Sequence, residues 1–252
     1  MLSNPGTCVI DASTAHRTVP GWVFGLPELA PGQREAIRGS KRIANPGCHA
    51  SAFILLLRPL VDAGIVSPEA FISASTITGY SGGGKKMIEQ YEAAAAARVA
   101  GGAGEPVLNA PRPYGLNLVH KHVPEMMAHT GLRTRPLFMP IVSNFYEGLS
   151  VSVPLHLEPF GSSSEALHQA YAKRYSGERF VRVMPLRDPQ TLEAGFFDVQ
   201  ACNDTHRVDI FVFGDGTQAI VMARLDNLGK GASGAAVQAM NVHLGVDEGL
   251  GL

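Results

Sequence analysis

A chain of 252 residues, 45% hydrophobic and 17% charged, can bury one large core or two small ones and is not disordered. With 21 basic and 22 acidic residues its formal net charge is −1, which removes the electrostatic case for nucleic acid or an anionic membrane as partner. Three cysteines (Cys8, Cys48, Cys202) form no disulfide framework at this length and fit a reducing, cytoplasmic setting.

The opening "MLSNPGTCVIDAS" has no basic segment followed by an apolar one, so no secretory signal is expected. "TCVIDAS" is a short apolar run ending in polar residues, which predicts a buried strand opening into a loop. That loop carries Arg17, a residue suited equally to an anionic ligand group and to a structural ion pair. A short helix follows, then a strand near residues 41–44, then Asn45-Pro46-Gly47. Residues 49–64 read as a helix that Pro59 must kink or divide. "AFISASTITGYSGGG" is β-branched and alternating, a strand ending in a glycine-rich loop. "KKMIEQYEAAAAARVA" is a strong helix former stopped by "GGAGEP". "VPEMMAHTG" predicts a helical turn or two.

Three β-rich segments occupy much of residues 137–227, with a helix at about 164–175 between the first two. Asp215-Gly216, between two alternating apolar runs, signals a hairpin. The tail "GASGAAVQAMNVHLG" predicts a last helix, with Ala236, Met240 and Leu244 as its apolar stripe. The pattern is α/β in front, a mostly antiparallel sheet behind, and a final helix. The run Ala52 to Leu57 is too short to span a bilayer.

Three glycine patterns resemble nucleotide-binding loops and none completes one. "GYSGGGKK" places Lys86 where a P-loop needs Ser or Thr on magnesium. "GDGTQA" leads into another strand, and "GKGASG" opens a helix after which the sequence holds no second strand. The loop Ser81–Gly84 still permits close approach of a ligand to backbone amides.

Cys48 stands out because it sits where a helix begins rather than inside the apolar run. A helix N-terminus and a nearby protonated histidine both favour the thiolate, so Cys48 is read as a candidate nucleophile, with an ordinary small residue at a packed helix cap as the alternative. "RPYGLNLVHKHVPEM" gathers Tyr114, His120, Lys121, His122 and Glu125. Imidazole titrates near neutrality and suits a general base for that thiol. A metal site is not expected from His-x-His without a second ligand cluster.

The stretches "VIDASTAHRT", "WVFGLPEL", "NPGC", "GYSGGGK", "RPYGLNLVHKHVPEM", "FMPIVSNFYEGLSVSVPLHL" and "LDNLGKGASGAAVQAMN" run in order from Val9 to Asn241. Together they resemble the N-acetyl-γ-glutamyl-phosphate reductases, in particular the shorter second type. The resemblance implies a fold of the glyceraldehyde-phosphate and aspartate-semialdehyde dehydrogenase superfamily: a catalytic domain with a mostly antiparallel sheet and part of a Rossmann-type domain. It implies a division into residues 1–47 (partial dinucleotide-binding domain), 48–226 (catalytic domain) and 227–252 (a helix returning to the first). It implies reduction of an acyl phosphate by NADPH to an aldehyde, through a thioester on Cys48 with His122 as acid/base. Arg17, Tyr114, His120 and Glu125 become candidates for substrate binding, and Ser81, Gly82 and Asn227 for the nicotinamide end of NADP. The implied partners are a small acyl phosphate, phosphate, and a second copy meeting the broad sheet face. An aminoadipyl or aspartyl acyl phosphate is the neighbouring alternative, and a non-catalytic remnant a further one.

Two departures stand beside the resemblance. His49-Ala50-Ser51 follows the cysteine where many relatives carry an aromatic residue, Pro and Thr. The strand and glycine-rich turn that open the relatives' Rossmann unit have no counterpart before Cys8, so impaired cofactor binding is expected.

Overall fold

The computed structural model describes residues 4, 6–102 and 104–252; the remaining residues of the expected unit 1–47 lie outside this description. Two sheets organise it. The smaller is parallel, in the order β1 (Val9–Asp11), β3 (Arg42–Ala44), β2 (Val23–Phe24). Helix α1 (Gln33–Gly39) supplies Ile37, which packs with Ile43 of β3. Helix α2 (Cys48–Asp62) starts four residues after β3 ends. Asn45 donates its backbone N–H to Asp11 (2.7 Å), which fastens the Asn-Pro-Gly turn to the end of β1.

The larger sheet has seven strands. In chain order they are β4 (Ser73–Gly79), β5 (Arg112–Pro113), β6 (Leu137–Ser143), β7 (Leu149–His156), β8 (Val181–Val183), β9 (Val208–Gly214) and β10 (Gln218–Leu225). Their spatial order is β5-β6-β4-β7-β10-β9-β8; β4–β6 and β8–β9 are parallel and the other pairs antiparallel. The predicted Asp215-Gly216 turn joins β9 to β10. Helix α3 (Lys85–Val99) follows the glycine loop, α4 (Val123–Thr130) follows His122, and α5 (Ser164–Arg174) lies between β7 and β8. Alternate residues of the central strands, such as Val151, Val153, Val221 and Ala223, bury one sheet face against α2. The opposite face leaves Ile77, Leu137, Met139 and Ile220 exposed. Among the described residues no helix is long and apolar enough to cross a membrane.

Pro59 does not divide α2. It lacks the N–H that the Leu55 carbonyl would accept, and the Tyr175 hydroxyl donates there instead (2.6 Å). Tyr171 also donates its hydroxyl to a carbonyl of this helix, that of Leu56 (2.9 Å). The sequence alone cannot place a tyrosine from 120 residues away on that carbonyl.

Helix α6 (Gly234–Leu244) forms as expected, but the stripe chosen for its buried face is the wrong one. Met240 and Leu244 are 42% and 62% exposed, and Ala235, Gln238, Ala239, Asn241 and Val242 face inward. Two of these are polar, and they face inward because partners wait for them. Gln238 bonds Glu28, Lys230 and His206. Asn241 donates to the carbonyls of Glu248 and Leu250. Lys230, wholly buried, donates to both oxygens of Glu28 (2.8 and 2.9 Å). That pair ties the loop before α1 to the wide turn Gly229–Ser233 that opens α6.

The Tyr175–Leu55 bond can be weighed directly. Tyr175→Phe should lower unfolding free energy by about 1–3 kcal/mol in denaturant titration, the usual cost of an orphaned buried acceptor. In a Pro59→Ala background the loss should shrink, because the restored N–H serves Leu55.

Candidate active site

A cavity of about 420 Å³ opens where the two sheets meet. Its wall includes Arg17, Cys48, Ser81, Gly82, Tyr114, His120, His122 and Asn227. Eight of the nine residues singled out from sequence thus converge on one space, from segments spread over most of the chain. Glu125 is the exception and lies behind the wall.

Gly47 is the N-cap of α2 and Cys48 its first residue. A side chain at 47 has no room: a Cβ there would lie 2.6 Å from Arg17 Nη1 and collide with the His122 ring. Glycine therefore lets an arginine and a histidine close on the backbone just before the cysteine. From the other side, a Cβ at Gly231 would stand 2.7 Å from the Cys48 Cβ. Cys48 is half-buried between these two glycines and open to the cavity.

Glu125 holds the arrangement from behind. Oε1 accepts from Arg17 Nη1 (2.6 Å) and Oε2 from the Gly47 N–H (3.1 Å). Arg17 also donates through Nε to Asn45 O (2.9 Å) and through Nη2 to Ala12 O (3.1 Å). Both members of the pair are buried. Burial pushes the Glu125 carboxyl up to about 7, against the opposing pull of Arg17 and the Gly47 N–H. The expectation that Glu125 meets substrate meets a physical obstacle here: both its oxygens are taken by protein donors.

Burial also decides the state of the nucleophile. It pushes the Cys48 thiol up to about 11, outweighing the His49 N–H, Lys121 and Arg17, which favour the thiolate. The helix N-terminus is where the sequence placed it, but desolvation between Gly47 and Gly231 reverses the expected direction. His122 is held well below its ordinary value by burial and by the adjacent His49, His120, Arg17 and Lys121. The resting pair is thus a neutral thiol beside a neutral imidazole.

His49 is the residue that the sequence reading passed over. It is buried, with Nδ1 3.0 Å from Thr76 Oγ1 and Nε2 3.1 Å from the Tyr114 hydroxyl. Burial, then His120 and Lys121, hold it neutral, with its pKa lowered to about 3. The departure expected at position 49 from the resemblance was the available signal. His120 accepts the His122 N–H at Nδ1 (3.2 Å) and lies edge-on to the His122 ring. Lys121, exposed on the rim, makes no ion pair among the described residues.

The glycine loop is pinned rather than loose. Asn227 Nδ2 donates to Ser81 Oγ (2.9 Å), and its Oδ1 accepts from the Gly148 N–H (2.8 Å). Gly82 has ordinary room around it. Asn45, also on the cavity wall, donates to Ala232 O through Nδ2 (2.9 Å), while its buried Oδ1 has no hydrogen-bond partner among the described residues.

Comparison with known proteins places the chain in a family. Residues 48–227 match the family described as "Semialdehyde dehydrogenase, dimerisation domain". The chain is 47% identical over 249 residues to N-acetyl-gamma-glutamyl-phosphate reductase 2 of Nostoc sp., covering 97% of this chain and 76% of that protein. It is 42% identical, with the same coverage, to N-acetyl-gamma-glutamyl-phosphate reductase of Burkholderia ambifaria. Among solved structures, aspartate semialdehyde dehydrogenase II from Vibrio cholerae superposes with a TM-score of 0.71 at 18% identity, over 95% of this chain and 73% of that one. The Francisella tularensis aspartate semialdehyde dehydrogenase gives 0.69 at 15% identity, over 92% and 73%. These two likenesses concern the fold.

A neutral resting thiol has a direct signature. Alkylation of Cys48 by iodoacetamide, followed on its peptide by mass spectrometry, should rise about tenfold per pH unit from pH 6 to beyond pH 9. A plateau reached below pH 8 would mean that the helix N-terminus outweighs burial.

Proposed function

Since the chain belongs to the N-acetyl-γ-glutamyl-phosphate reductase family, we propose that it reduces N-acetyl-γ-glutamyl phosphate to the semialdehyde with NADPH. The observation that carries this reading is Cys48 at a helix start, in one cavity with His122.

In this proposal the Cys48 sulfur attacks the acyl phosphate carbonyl. The S–C bond forms, the C–O bond to phosphorus breaks, and phosphate leaves. Because the thiol resists ionisation, His122 takes its proton as the S–C bond forms rather than beforehand. The thioester divides one hard displacement into two easier steps. NADPH, when bound, would supply the hydride that reduces that thioester. Afterwards the sulfur leaves the reduced carbon and His122 returns its proton. Tyr114 and His120 would orient the acyl group, and Lys121 on the rim would meet the phosphate charge. Arg17 touches the cavity but has three of its groups engaged by protein. We therefore assign Arg17 chiefly, and Glu125 wholly, to positioning the Gly47 turn.

The residues present suit the nicotinamide end of NADP. Asn45 Oδ1, without a partner among the described residues, would accept an amide N–H, and Ser81 and Gly82, braced by Asn227, would pack beside the ring. In this reading residues 1–47 and 227–252 form the cofactor side and 48–226 the catalytic side. The exposed apolar residues Ile77, Leu137, Met139 and Ile220 on the open sheet face support pairing with a second copy.

The test is the reverse reaction: N-acetylglutamate semialdehyde, phosphate and NADP, with NADPH absorbance as readout. Phosphate-dependent NADPH formation is expected, with the signal lost in Cys48→Ala and lowered about 10²–10⁴-fold in His122→Ala. Aspartate semialdehyde should serve poorly. No phosphate-dependent signal at millimolar NADP, or a preference for the aspartyl substrate, would overturn the reading for this chain.

A further inference from the structure

We propose that Cys48, His49 and His122 form a binding site for a thiophilic divalent cation of the zinc class, and that its occupation closes the nucleophile to chemistry. One ligand atom from each of the three residues lies within 4.8 Å of the other two. Cys48 and His49 share the first turn of α2, and His122 caps α4, so all three stand on the ends of packed helices. Three protein donors and a fourth position open to a cavity is the arrangement that zinc takes in reactive sites. Zn–S and Zn–N bonds of about 2.3 and 2.1 Å place tetrahedral donors roughly 3.5 Å apart, so side-chain rotation of about 1 Å completes the shell.

The surroundings of His49 fit a ligand histidine. Its Nδ1 lies against Thr76 Oγ1 in β4 (3.0 Å), away from the space that Tyr114 lines. With the proton on Nδ1 donated to Thr76, Nε2 presents its lone pair toward the cavity, where the Tyr114 hydroxyl now meets it at 3.1 Å. A cation there displaces the tyrosine and keeps the Thr76 bond as the support that orients the ring. The second observation is His122 itself. It is 4% exposed, yet its Nδ1 is buried with no hydrogen-bond partner among the described residues. The step is an exchange without electron transfer: the sulfur gives its proton to solvent and a bond to the cation replaces S–H.

The proposal rests on side-chain positions alone, so it and the reductase reading can fail separately. The full chain is titrated with Zn²⁺ by calorimetry and with Co²⁺ by absorption. One equivalent of each is expected, and cobalt should show a thiolate charge-transfer band with tetrahedral d–d transitions. His49→Tyr, which keeps a buried ring, should weaken binding about 100-fold or more, and Thr76→Val about 10–100-fold. Cys8→Ser with Cys202→Ser should leave it unchanged. In the unmodified protein one equivalent of Zn²⁺ should block alkylation of Cys48, and EDTA should restore it. Absence of stoichiometric binding, a missing thiolate band, or His49→Tyr binding as tightly as the parent would overturn the proposal.

Discussion

A single buried carboxylate holds the site together. Glu125 accepts from Arg17 with one oxygen and from the Gly47 N–H with the other. Those two contacts join three pieces of chain: the loop after β1, the turn before α2, and helix α4, whose N-cap is His122. Removing one partner of such a buried pair typically costs about 3–5 kcal/mol, because the other charge is left without compensation. The pair need not add net stability, since burial already lifts the Glu125 carboxyl to about 7. What it fixes is geometry, because the side chains that press on Gly47 are the ones it holds.

A second buried pair answers from the opposite side. Lys230 and Glu28 anchor the turn Gly229–Ser233, and Gly231 of that turn packs on Cys48. The cysteine is therefore gripped between two glycines, each backed by an ion pair. The grip has an electrostatic consequence. It crowds the sulfur and raises the thiol, which in the proposed reaction moves proton removal to the moment of attack. In the proposed reaction the thiol is then activated only by the acyl phosphate and His122 together, and at neutral pH it reacts slowly with adventitious electrophiles.

Much of this was legible locally. The Asn-Pro-Gly turn, the start of α2 near Cys48, the Asp215-Gly216 hairpin and the His120–His122 cluster each follow from a few adjacent residues. What was hidden depends on distant partners. Arg17 meets Glu125 across 108 residues, and nothing near Glu125 shows that both its oxygens are engaged. The intact helix through Pro59 relies on Tyr175. The inner face of α6 is set by polar partners for Gln238 and Asn241, so hydrophobic periodicity chose the exposed stripe instead. The direction of the Cys48 shift failed for the same reason: the helix terminus is a local feature and desolvation is a tertiary one.

The most direct measurement needs no nicotinamide. The chain is mixed with N-acetyl-γ-glutamyl phosphate, made in place by a kinase and ATP, and then examined by intact mass and peptide mapping alongside phosphate release. The account predicts a single hydroxylamine-labile acyl group on Cys48, one phosphate released per chain, and a slower adduct in His122→Ala. Phosphate release with no adduct, or an adduct on another residue, would contradict it.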